Sequence, residues 1–186
     1  MWKWLSKQII GTAGKPQTPA ESLYYALLEA SRTPDFYLEY GVRDDFDGRF
    51  DLLCLLVSLT MRRLRDCGEQ AKPFSQELFD AMFTDIDLTL REQGAGDTGL
   101  GKRIRMMSEG FAGRLQAYSA ALDEADEAGL AAAIARNFSR AEAVSEADRK
   151  LAQLTMRLEK GLAEADYHAL SSGGFEPVSW VRAHCG

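Results

Sequence analysis

The stretch from Asp44 to Arg65 most constrains how this chain can fold. Phe46, Phe50, Leu53, Val57, Met61 and Leu64 recur at three- and four-residue steps and mark one helix face. Leu52, Leu55, Leu56 and Leu59 mark a second. A helix that is apolar on two faces cannot lie on a surface; other elements must enclose it. Asp44, Asp45, Asp47 and Asp51 come at its start and Arg62, Arg63 and Arg65 at its end, which matches the helix dipole. The expectation is a bundle built around one central helix.

The rest of the chain carries the same period. Phe79, Met82, Phe83, Ile86 and Leu90 form one amphipathic helix, and Leu100, Ile104, Met107, Phe111, Leu115, Tyr118 and Leu122 another. The glycines between them predict a turn, with Gly94 closing the first helix and Asp97 capping the second. Thr18-Pro19-Ala20-Glu21 is a strong helix start, with a Thr cap, Pro at the first position and Glu at the third. Phe36, Tyr37 and Tyr40 predict a short helix or turn closed by Gly41, and Gly68 to Pro73 a loop. Leu130, Ile134 and Phe138 mark a short helix. Ser145 to Asp148 is a second capping signature, opening a helix that runs to about Ala169, with His168 at its end. Phe175 to Gly186 has no period and reads as a tail. The predicted architecture is all-α, a single-domain bundle of about six or seven helices. It divides into an N-terminal amphipathic segment and linker at 1–17, a helical domain at 18–170 and a C-terminal tail at 171–186.

Composition narrows the function. The net charge is −6, which argues against a free-standing DNA binder, although a local patch could still grip a ribosome. Three scattered cysteines do not make a disulfide framework and fit a reducing compartment. No apolar run is long enough to cross a bilayer. In the first eleven residues Trp2, Trp4, Leu5 and Ile9 stand with Lys3 and Lys7, the residue types of a membrane-surface anchor.

Several motifs suggest chemistry that their context does not support. Gly94, Gly96 and Gly99 fit G-x-G-x-x-G, and Gly96, Gly101 and Lys102 fit most of a P-loop. Arg103 stands where a P-loop needs Ser or Thr, and the preceding segment is helical rather than a strand. In an EF-hand frame set by Gly48, the twelfth position is Cys54 rather than Glu. Asp85 and Asp87 are two positions apart and point in different directions, while Asp87 and Arg91 are one turn apart and suited to pair. His168 and His184 form no metal spacing and no nucleophile–base set. The chain therefore reads as a non-enzyme with no cofactor, no metal and no small-molecule substrate. Gly110, Ala112, Gly113, Ala117 and Ala120 place small side chains along one helix, suited either to close packing inside the bundle or to a groove for a partner helix.

Longer patterns resemble the ubiquinol–cytochrome c chaperone family, in its bacterial form. They are Phe36-Tyr37 with Gly41-Val42 and Asp44; Asp47-Gly-Arg-Phe-Asp51; Phe79-Asp80 with Met82-Phe83, Asp85 and Asp87; Leu90-Arg-Glu92 with Gly94 and Asp97; and Phe111 with Gly113-Arg114, Ala117-Tyr118 and Ala121-Leu122. The resemblance covers about Glu21 to Asn137. It departs at Leu56, where the family often has His, at Gln93, where it often has Met, and at Ala112, where a second aromatic is common. The length suggests a form without a mitochondrial leader.

The resemblance implies an assembly chaperone for ubiquinol–cytochrome c reductase that binds newly made cytochrome b or another membrane-protein client near the ribosome. The chain would be cytoplasmic and peripheral on the inner membrane. Client-binding candidates are Asp47, Arg49, Phe50, Asp51, Asp85, Asp87, Arg91, Asp97, Phe111, Arg114 and Tyr118. Membrane-contact candidates are Trp2, Trp4, Leu5 and Ile9. The alternative is a helical adaptor that binds a soluble protein. A diphosphate-handling helical enzyme rests on the Asp44–Asp51 acids alone.

Overall fold

A computed structural model of the chain describes residues 16–92 and 97–185. Among the described residues there are nine α-helices and no strand. They are α1 (Pro19–Ala30), α2 (Asp35–Leu38), α3 (Phe46–Asp66), α4 (Lys72–Glu92), α5 (Asp97–Asp123), α6 (Glu127–Ile134), α7 (Glu146–Leu162), α8 (Tyr167–Ser172) and α9 (Pro177–Cys185). The all-α expectation holds, and the added helices are short.

The doubly apolar helix is the axis of the molecule. Every residue from Asp51 to Thr60 is buried, and α3 contacts α1, α4, α5 and α7. Its start is fixed by Asp45, whose side chain accepts from the Gly48 amide at 2.8 Å. Position 48 must be glycine because a Cβ there would collide with the Arg43 carbonyl oxygen. Arg62, near its end, is 8% exposed and donates to the Ser119 carbonyl at 3.2 Å, to Asp123 at 2.6 Å and to Glu159 at 3.4 Å. That one guanidinium ties α3 to α5 and α7. Both capping boxes form, Thr18 with Glu21 and Ser145 with Asp148.

Four sequence expectations are corrected. The stretch from Gly68 to Pro73 is not a loop throughout: Glu69–Ala71 is a 3₁₀ turn and α4 begins at Lys72, with Pro73 in its first turn, where a missing N–H costs nothing. The helix expected to reach Ala169 stops at Leu162; Asp166 then caps α8, accepting from the Ala169 amide at 2.7 Å. His168 consequently sits in the first turn of α8 rather than at a helix end. The stretch read as an aperiodic tail from Phe175 is α9 over most of its length. Trp180, Val181 and Cys185 are buried in the core, and α9 packs on α1 and α7. Its buried Pro177, Val181 and Cys185 do stand at four-residue steps, but so short a run directly after the Ser171–Gly174 break reads as a tail.

The glycine turn at 93–96, the side chain of Asp97 and the N-terminal residues Trp2, Trp4, Leu5 and Ile9 lie outside the described residues.

Candidate functional site

Asp51 sits in α3 one turn inside the helix start, and its side chain is 0% exposed. Arg114 of α5 donates through Nη2 to Oδ1 at 2.7 Å. Arg140 donates through Nη1 to Oδ2 at 2.7 Å. Arg140 follows a π-helical turn, Ala135–Ser139, at the end of α6 and has a left-handed φ of 55°. Non-glycine residues seldom adopt that conformation, and the widened turn delivers the guanidinium to Asp51. Burial raises the Asp51 pKa and the two guanidiniums pull it down; the net direction is up.

Above this centre lies an open groove of about 410 Å³ between the start of α3 and the first half of α5. Phe46, Phe50, Met106 and Met107 give it apolar walls. Lys102, Arg103, Arg114 and Arg140 make it cationic, with Asp47 as its one acid. The Arg103 guanidinium carbon lies 5.9 Å from the Phe46 ring centroid, and that of Arg114 lies 5.7 Å from the Phe50 centroid.

The same two phenylalanines border a second, smaller space. A cavity of about 40 Å³ lies between α1, α3 and α4, lined by Leu28, Leu53, Ile86 and Asp85 among others. It has room for little more than water. Asp85 is 4% exposed; its Oδ2 accepts from the Tyr24 hydroxyl at 2.8 Å and its Oδ1 has no hydrogen-bond partner. Burial raises the pKa of Asp85 most, against the Tyr24 hydrogen bond that lowers it.

Asp47, Phe50 and Arg114 therefore line one groove, and Asp51 is buried beneath it, bonded to Arg114. The other candidates lie elsewhere. Asp87 and Arg91 form the expected one-turn pair at 2.6 Å on α4. Arg49 bonds to Asp44 at 2.7 Å and lines the small cavity instead. Phe111 is core, 5.7 Å from Phe79 and 6.2 Å from Phe83. Tyr118 is buried, and burial pushes its hydroxyl pKa up. Sequence reasoning met Lys102 and Arg103 only in a rejected P-loop match and missed Arg140 and Met106 altogether. The cations from Lys102 to Arg105 were a visible signal; nothing local marked Arg140.

Some small residues of α5 face outward. Gly99, Gly101 and Gly113 are exposed, and a Cβ on any of them would meet nothing within 4 Å beyond its own helix backbone. Ala112 and Ala120 are exposed too. Gly110 and Ala117 are half-buried, Gly110 beneath the Arg114 guanidinium and Ala117 against the core, so the stripe divides between packing inside the bundle and an open outer edge. Among the described residues no group of three His, Cys, Asp or Glu is placed to hold a metal, and no helix is long and apolar enough to cross a membrane.

The bundle as a whole has a solved counterpart. The crystal structure of the Cbp3 homolog from Brucella abortus matches with a TM-score of 0.74 and 34% sequence identity, covering 85% of this chain and 87% of that one. Residues 38–180 match the model of the ubiquinol–cytochrome C chaperone family, and the chain belongs to that family. No match was found among curated proteins.

Proposed function

We propose that this protein is an assembly chaperone for ubiquinol–cytochrome c reductase that holds newly made cytochrome b, or a related membrane client, on the α3–α5 surface. Family membership supports the assembly role. The observation that carries the client-holding reading is the outward face of α5. Glycine inside a helix costs about 0.5–1 kcal/mol relative to alanine. At Gly113 nothing inside the bundle offsets that cost. A second helix laid across Gly113, beside the exposed Ala112 and Ala120, would bring its backbone close and offset it from outside.

Asp47, Phe50 and Arg114 border that surface; Asp51 holds Arg114 in place beneath it. Trp2, Trp4, Leu5 and Ile9 would keep the chaperone at the membrane from which its client is inserted. Removing residues 1–14 should then lower liposome binding while client capture in detergent persists.

The test is to delete the gene and record reduced-minus-oxidised spectra of the host membranes with ubiquinol–cytochrome c reductase activity. The expected result is loss of the cytochrome b signal, restored by the wild-type gene. Normal cytochrome b and normal activity would overturn the reading and favour an adaptor for a soluble partner.

A further inference from the structure

The outward stripe of α5 changes character along its length. The exposed positions of its C-terminal half, Ala112, Gly113, Gln116 and Ala120, carry no charge before Asp123. Its N-terminal half carries Lys102, Arg103 and Met106, all exposed, with Met106 at 61%. Among the described residues Lys102 and Arg103 have no carboxylate partner, whereas Arg105 is paired with Glu109 at 2.8 Å. This is a local cationic site on a chain whose net charge is −6.

We propose that this half of α5, with Phe46 and Arg140 beside it, is a contact for anionic phospholipid headgroups. Lys102 and Arg103 face the lipid phosphates, and Met106 enters the layer just beneath them. The inference rests on the reading that the client is a membrane protein.

Charge complementarity selects this occupant. The cytoplasmic loops flanking membrane spans are rich in Lys and Arg, and such a client flank is repelled here. The cytoplasmic leaflet is anionic and attracts clustered cations near its surface. RNA fits less well. Single-stranded bases need open aromatic faces to stack on, but the Phe46 and Phe50 rings carry Arg103 and Arg114 and are packed against the core. An exposed, flexible methionine suits an acyl boundary better than a base.

The full chain is titrated with phosphatidylcholine vesicles containing or lacking phosphatidylglycerol, and cytochrome b capture in detergent is measured in parallel. The double variant Lys102→Glu/Arg103→Glu should bind the anionic vesicles about tenfold more weakly or worse, since each cation near such a surface adds appreciably to binding. The charge-matched control Arg149→Glu/Lys150→Glu, on exposed α7 positions, should bind as wild type. Met106→Ser should weaken anionic-vesicle binding further, and capture should persist in all variants. Wild-type vesicle binding by the double variant overturns the proposal. So does an equal loss on pure phosphatidylcholine, or loss of binding to an RNA oligonucleotide with vesicle binding intact. If capture falls while vesicle binding stands, the patch belongs to the client and only the lipid contact fails. If wild type captures no cytochrome b yet shows the charge-dependent vesicle binding, the lipid contact stands and the client reading fails.

Discussion

Asp51 accepts from two arginines at 2.7 Å each while exposing no surface of its own. Removing it would leave two guanidiniums facing each other across a buried site. Breaking a buried pair of this kind typically costs about 3–5 kcal/mol. Asp51→Ala should therefore lower the unfolding free energy measured in urea by that order, and Arg140→Ala, at a side chain 41% exposed, by clearly less. Equal losses would mean that Arg140, not Asp51, organises the centre. Asp85 makes the opposite kind of prediction. Its folded pKa is raised, so between the ordinary carboxylate value of about 4 and the raised one the folded state binds more protons than the unfolded. Stability from this group is therefore present at low pH and falls as pH rises through that window. Asp85→Asn should flatten this fall in unfolding midpoints measured against pH, while an unchanged slope would assign it to another group. The Tyr24 hydroxyl can still donate to the new amide oxygen.

At the scale of elements, the longest helices were the easiest to read. The long helices α3, α4 and α5 were plain from their period, because many turns repeat the same spacing. Short helices were uneven: α6, at eight residues, showed through Leu130, Ile134 and Phe138, while α8 and α9, around the Ser171–Gly174 break, were hidden because tertiary packing decides them. Trp180 shows what the pattern could not. It is 7% exposed and donates from Nε1 to the Leu158 carbonyl at 3.0 Å, locking α9 to α7. Trp180→Ala should destabilise the whole domain by about 3–5 kcal/mol in a single unfolding transition, as core tryptophans do. A separate early transition, with the main one unmoved, would mean that α9 is an appendage. The candidate site was half legible for a related reason. Asp47, Phe50 and Asp51 lie close together in sequence, so their resemblance motif was local. Arg140 comes from a distant π-helical turn, which no short motif announces.

Across the whole molecule, the proposed client surface sets stability against capture on α5. Gly113→Ala should stabilise the isolated protein by about 0.5–1 kcal/mol, because the position is open and helical. Gly113→Leu should leave the fold intact and lower cytochrome b capture by blocking close approach; full capture would move the client elsewhere. The burial of α3 has a consequence of another kind, in the order of synthesis. The residues that enclose it reach as far as α7, so roughly a hundred further residues must be made after Thr60 before Leu162 is available. At about 5–20 residues per second, that leaves a doubly apolar helix without its cover for roughly five to twenty seconds. A protein read as a guardian of apolar helices at the ribosome thus begins life presenting one of its own there.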